Sequence, residues 1–132
     1  MRGLPSKISK SITIGTRLIC ADNTGAKELE IINIPKRASK LRRRPSAGIG
    51  DMVIVSVKKG KPDVRKKVMK AVIVRQKKEF RRKNGIRIKF EDNAAIIVDD
   101  AGLPKGTEVK GAIAREVVLV FPKIAGVSSI IV

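Results

Sequence analysis

Apolar residues alternate with polar ones, or gather in short β-branched runs, along much of the chain. Met52-Val53-Ile54-Val55-Ser56-Val57 and Val68-Met69-Lys70-Ala71-Val72-Ile73-Val74 have strand length, and the turn formers Gly48, Gly50, Gly60 and Pro62 bound them. Residues 16–21, 26–34 and 94–98 predict three further strands, set apart by Asp22-Asn23-Thr24-Gly25 and Asp92-Asn93, which have turn chemistry. Five short strands with frequent turns predict a mainly β fold, a small closed five-stranded β-barrel, because closure removes the sheet edges that would otherwise lie open. No internal repeat is visible.

At the N-terminus, Ile8, Ile12, Ile14, Leu18 and Cys20 fall mostly at even spacing, the period of a strand rather than of an amphipathic helix. Arg2, Lys7, Lys10 and Arg17 without an acid suit an organellar transit peptide in sign, but they are sparse and the spacing is wrong. A short basic arm, 1–14, leading into the first strand is the expectation. No run approaches the ~18 apolar residues of a membrane-spanning helix, so no membrane partner is expected.

Composition narrows the chemistry. The 132 residues suffice for one domain with a real core. With no His and a single Cys, neither a Cys/His zinc site nor a Ser-His or Cys-His catalytic pair can be assembled. One cysteine forms no internal disulfide, which fits a reducing compartment. The only aromatics are Phe80, Phe90 and Phe121, too few for a platform on which single-stranded bases stack. A net charge of +18 calls for a polyanionic partner, and a paired or folded nucleic acid fits best.

The charge is segregated. Residues 36–89 hold 21 basic residues against three acids (Asp51, Asp63, Glu79), while the rest of the chain holds nine of each. Such segregation predicts a binding face or a set of loops aimed at phosphate. One cluster is Lys36, Arg37, Lys40, Arg42, Arg43 and Arg44, in a loop expected over 36–47. It has neither helical nor alternating pattern, so it suits phosphate contact, but equally nuclear import or plain solubilisation. A second is Lys58, Lys59, Lys61, Arg65, Lys66 and Lys67, around the Gly60-Lys61-Pro62-Asp63 turn. The third lies on a ribbon expected over 77–90 and comprises Lys77, Lys78, Arg81, Arg82, Lys83, Arg87 and Lys89, with Arg75 just before it. Asn84-Gly85 predicts a two-residue type I′ hairpin there, which would set Arg82 opposite Arg87 and Lys83 opposite Ile86. Facing like charges destabilise a free ribbon, so phosphate would relieve them; a solvated hairpin tip is the plainer alternative.

Other motifs point to little chemistry. Glu91-Asp92 and Asp99-Asp100 are sequence neighbours that point apart, which suits turns better than acid/base work. Gly48-Ile49-Gly50-Asp51 lacks the Lys and the glycine spacing of a nucleotide loop, so it predicts a tight entry into a strand and no cofactor. Cys20, in an apolar stretch, is expected to be inert core.

Three motifs together carry a resemblance. Cys20-Ala21-Asp22-Asn23-Thr24-Gly25-Ala26-Lys27, then Gly48-Ile49-Gly50-Asp51-Met52-Val53, then Ala71-Val72-Ile73-Val74-Arg75 with Asn84-Gly85 and Phe90-Glu91-Asp92-Asn93-Ala94, follow one another as in the universal large-subunit ribosomal protein L-fourteen family. The chain resembles that family from about Gly15 onward, in its archaeal branch by the N-terminal arm and the Arg42-Arg43-Arg44 loop. Ile96 stands where the family pattern has Val.

The resemblance implies a barrel (15–98) with a projecting ribbon and short C-terminal helices, one of them beginning after Gly111. Local propensity alone makes the Val-rich run 116–121 a strand, and the helix that the resemblance implies is the expectation taken over it. It further implies a structural, non-enzymatic protein on the cytoplasmic ribosome. Its partners would be large-subunit ribosomal RNA, neighbouring large-subunit proteins, small-subunit ribosomal RNA at an intersubunit bridge, and a factor that blocks subunit joining. The charge-balanced segment 99–132 would face those last partners through Thr107 and Lys123, placed by the resemblance, and through Glu108 and Lys110, placed by proximity. A free-standing translation factor or RNA chaperone on a similar barrel is the competing expectation, and the scarcity of aromatics counts against it.

Overall fold

The structure is a computed structural model that describes residues 8–35 and 45–132. Lys36, Arg37, Lys40, Arg42, Arg43 and Arg44 therefore lie outside the described residues, as do 1–7. The elements in chain order are β1 (Ile12–Thr13), β2 (Arg17–Cys20), β3 (Ala26–Asn33), β4 (Ser46–Ala47), β5 (Met52–Gly60), β6 (Val68–Arg75), β7 (Phe80–Arg81), β8 (Arg87–Ile88), β9 (Ala94–Val98), β10 (Val109–Ile113), α1 (Arg115–Val120), a 3-10 helix (Pro122–Val127) and β11 (Ser128–Ile131).

Five strands close into a barrel in the order β2-β3-β5-β6-β9, with β9 joining β2 in parallel and every other pair antiparallel. These are the five strands expected from the sequence. In β5 the alternation is regular: Val53, Val55 and Val57 are fully buried, while Met52, Ile54 and Ser56 are half-buried. By contrast, Ala71–Val74 and all of β9 are buried on both faces. Cover for the outer face of β6 comes from β10 and α1, whose Val109, Ile113 and Val117 are buried. Ile8 and Ile12 join the same core, and β1 pairs with β4 at Ile12↔Ala47, so Ser46 and Ala47 of the expected loop are a strand.

Polar groups tie these outer segments to the barrel. Asp22, only 6% exposed, accepts from Cys20 Sγ (2.9 Å), Thr24 N (3.3 Å) and Thr24 Oγ1 (2.7 Å) through Oδ1, and from Ile97 N (2.9 Å) through Oδ2. This explains the Cys20–Thr24 motif as a knot joining β2 to β9. Burial, reinforced by Asp22, pushes the Cys20 thiol up to about 12, which makes it the inert core residue expected. Gln76, fully buried, accepts from Ile49 N (3.0 Å) and donates to the carbonyls of Ser9 (3.0 Å) and Lys78 (2.9 Å), holding the N-terminal segment in place.

The ribbon differs from the expected hairpin. Phe80 pairs with Ile88 and Arg81 with Arg87, while Arg82 N donates to Ile86 O and Gly85 N to Arg82 O. The loop thus has three residues, Lys83-Asn84-Gly85. Only Gly85 takes positive φ, at 87°, and Asn84 does not, so the turn is not type I′. Asn84 instead accepts from Ile86 N through its side chain at 3.0 Å. The register shift moves Arg82 away from Arg87.

At the C-terminal end, the run 116–121 is helical over Arg115–Val120 despite its β-branched composition. The helix begins at Arg115 rather than directly after Gly111, because residues as far as Ile113 form β10. Its cause is topological. β11, absent from the sequence-based expectation, pairs with β10 in parallel, and a parallel pair needs a crossover, which α1 and the 3-10 helix supply.

Candidate nucleic-acid interface

The second and third basic clusters leave the barrel from opposite ends. Residues 61–67 join the end of β5 to the start of β6, and the ribbon follows the end of β6. Seven steps along β6 separate them, about 23 Å at ~3.3 Å per residue. A single end-face holding both clusters is therefore ruled out by the length of the strand.

Within each cluster the structure sorts the candidates. Lys61, Arg65, Lys66 and Lys67 at one end, and Lys77, Lys78, Arg81, Lys83 and Lys89 at the other, are exposed and have no carboxylate partner among the described residues. Lys66 holds positive φ (65°) to close its turn, its N–H reaching Val57 O at 2.9 Å. Lys58 and Lys59 are exposed but lie 3.2 Å from Glu30 and 3.6 Å from Glu28. Arg17 donates to Glu28 at 2.9 Å, which holds that carboxyl below its usual range and the guanidinium above its own. Arg87 meets Glu79 at 3.2 Å across the ribbon surface, with 64% and 44% of the two side chains exposed, an arrangement that binds loosely.

Two expected RNA ligands make internal ties. Arg75, with 12% of its side chain exposed, donates from Nη1 to the carbonyls of Lys110 (3.0 Å) and Ala112 (3.2 Å) and from Nη2 to Asp92 (3.4 Å). Its Nε lies 2.9 Å from Asp92 Oδ1 but is not aligned to hydrogen-bond with it. Asp92, expected to be a turn former, is thus an ion-pair partner. Gly111, at φ 78°, leaves room for this guanidinium, since a Cβ there would meet Nη1. Arg82 grips Glu116 with both arms, Nε to Oε1 at 2.8 Å and Nη2 to Oε2 at 3.1 Å, and donates to Val132 O at 2.7 Å while lying over the Phe80 ring. Its guanidinium is thus tied within the fold.

Sequence reasoning did not single out the exposed Lys27 or the ties made by Gln76 and Glu116. Lys27 falls outside the basic stretch, and the other two have partners many positions away. Among the described residues no group of three or more His, Cys, Asp or Glu could hold a metal ion, and no helix is long and apolar enough to cross a membrane.

The profile of the family described as "Ribosomal protein L14p/L23e" matches residues 11–132. The chain belongs to that family. Among its relatives, the large ribosomal subunit protein uL14 of Methanothrix thermoacetophila is 60% identical over 132 residues, all of both chains. The proteins of the same name from Methanococcus maripaludis and Methanospirillum hungatei are 53% identical over 99% of each chain and 48% identical over all of both. The archaeal branch expected from the arm and loop is where these relatives lie.

In this L14p/L23e member the expected partner-facing residues lie on the covering segment. Thr107 is held by Asn23, which accepts from its N–H (2.9 Å) and donates to its hydroxyl (2.8 Å); the Glu108 N–H points to the same Asn23 oxygen at 3.4 Å. Lys110 N donates to Ala21 O, and its side chain is exposed, as are those of Glu108 and Lys123. Because Val109 stands opposite Ser128, the 3-10 helix carrying Lys123 delivers the chain to the flank where Glu108 and Lys110 sit.

Proposed function

We propose that this chain is a structural constituent of the large ribosomal subunit on the cytoplasmic ribosome, binding ribosomal RNA through its exposed basic groups and catalysing no step of its own. The observation that carries this is the sorting of the cations. Arg75 and Arg82 are consumed by the fold, while nine exposed lysines and arginines of the two clusters, at the two ends of the barrel, have no carboxylate partner among the described residues. Their mutual repulsion is relieved by phosphate, and their contacts position the RNA by shape rather than by base sequence.

The charge-balanced covering segment takes the protein-facing and intersubunit role. Neighbouring large-subunit proteins, small-subunit RNA at a bridge, and a factor that blocks joining are its partners through Thr107, Glu108, Lys110 and Lys123. The support is that this segment has mixed charge and is pinned by Asn23 and Arg75, so its exposed side chains are presented on a fixed backbone.

Density-gradient sedimentation tests both halves. In a high-salt wash the wild-type protein is expected to stay with the large particle, whereas a cycling translation factor or chaperone washes off. The Glu108→Lys/Lys123→Glu variant is expected to enter the large particle normally and to lower the yield of joined subunits. Loss of incorporation with joining of the remaining particles unaffected contradicts this division of roles.

A further inference from the structure

At the β5–β6 end, the strand register breaks twice in succession. On β3, Lys27 is the extra residue between Ala26, opposite Gly60, and Glu28, opposite Lys59; on β5, Lys58 is the extra residue between Lys59 and Val57, opposite Leu29. The two bulges cancel, so the barrel resumes its register with both lysines taken off the ladder. Lys27 and Lys58 line an open groove of about 520 Å³ with Lys59, Gly60, Lys61 and Arg65. Its floor is backbone at close approach, since a Cβ on Gly60 would lie 2.7 Å from Gly25 O, and Lys61 N donates to that same oxygen at 3.1 Å. Gly25, at φ 100°, also lets the Lys61 stem lie across it.

We infer that this groove is a second RNA site, separate from the ribbon, that takes the sugar–phosphate backbone of one RNA strand, with Lys27 among its phosphate ligands. This rests on the ribosomal RNA reading above. No carboxylate residue lines the groove, and Lys27, Lys61 and Arg65 have no ion-pair partner among the described residues, so the lining suits anions. It is too open to enclose a small anion and contains no aromatic ring on which a base would stack, which leaves a polymer backbone as the occupant. The ribbon lies about 23 Å away along β6, so the barrel acts as a spacer between two RNA segments.

Hydroxyl-radical footprinting of the full-length protein on large-subunit ribosomal RNA tests this. The wild type is expected to protect two separate backbone tracts. Lys27→Glu/Arg65→Glu changes two exposed residues; it is expected to melt as the wild type does, to lose one tract and keep the other, and to weaken binding about tenfold or more at moderate salt. Lys27→Gln/Arg65→Gln, which keeps the size and removes only the charge, is expected to lose the same tract in part. Equal fading of both tracts, or unchanged protection in both variants, overturns the second site. If the wild type protects nothing, the RNA-binding reading itself fails, a result distinct from a variant without effect.

Discussion

Glu116→Ala is expected to lower the unfolding free energy by about 3–5 kcal/mol, because it strands a nearly buried guanidinium. Only 5% of the Glu116 side chain and 15% of the Arg82 side chain are exposed, so the pair is largely shielded from water. The pair also joins distant parts of the chain, since Arg82 stands in the ribbon while Glu116 stands in α1, and the same guanidinium reaches Val132 O. Arg82→Met/Glu116→Met should recover most of the loss, as apolar replacement of a buried pair does. Urea unfolding of Arg82→Met, Glu116→Met and the double variant measures the coupling. Arg87→Thr provides the contrast: its loose surface pair with Glu79 should make the change cost less than ~0.5 kcal/mol. A Glu116→Ala cost below ~1 kcal/mol would mean that the ribbon and the helix are not held by this tie.

RNA affinity is expected to fall by about three orders of magnitude or more between 50 and 200 mM salt. The nine exposed cations of the two clusters without carboxylate partners, together with Lys27, each neutralising one phosphate, give a log–log slope of roughly −7 or steeper, since each contact releases ~0.7–0.9 condensed counterions. Arg75 and Arg82, tied within the fold, are expected to add nothing to that slope, so a folded variant lacking either cation should keep it. A slope near −2 would confine the contact to a few residues and remove the broad interface.

The five barrel strands were legible because a half-buried strand records its inner face as period two, as Val53, Val55 and Val57 do. The barrel's closure was legible too, through the shortness of the strands and the turns between them. The ribbon register was not. Asn-Gly favours a two-residue turn in isolation, but the three-residue loop leaves Arg82 facing Glu116, and a long-range ion pair outweighs a local turn preference. The helix at Arg115–Val120 was legible only through the family resemblance, because its local propensity is that of a strand and it is the parallel pairing of β10 with β11 that demands a crossover.

Among the site residues, charge counting located the exposed basic groups at both ends of the barrel but could not separate free cations from tied ones. Arg75 and Arg82 look like their neighbours in sequence, and what distinguishes them is Asp92 and Glu116, 17 and 34 positions away. Lys27 escaped for the opposite reason. It stands alone in a mixed-charge stretch, and the pair of bulges that carries it to the groove leaves no mark in the hydrophobic pattern.

Nucleotide-resolution crosslinking of the assembled large subunit tests the central claim most directly. Lys61 and Arg65 at one end, and Lys77, Lys83 and Lys89 at the other, are expected to crosslink to ribosomal RNA in two distinct tracts, while Glu108 and Lys123 stay free of them. Crosslinks from these basic residues to protein alone, with the RNA instead reached from the covering segment, would contradict the account.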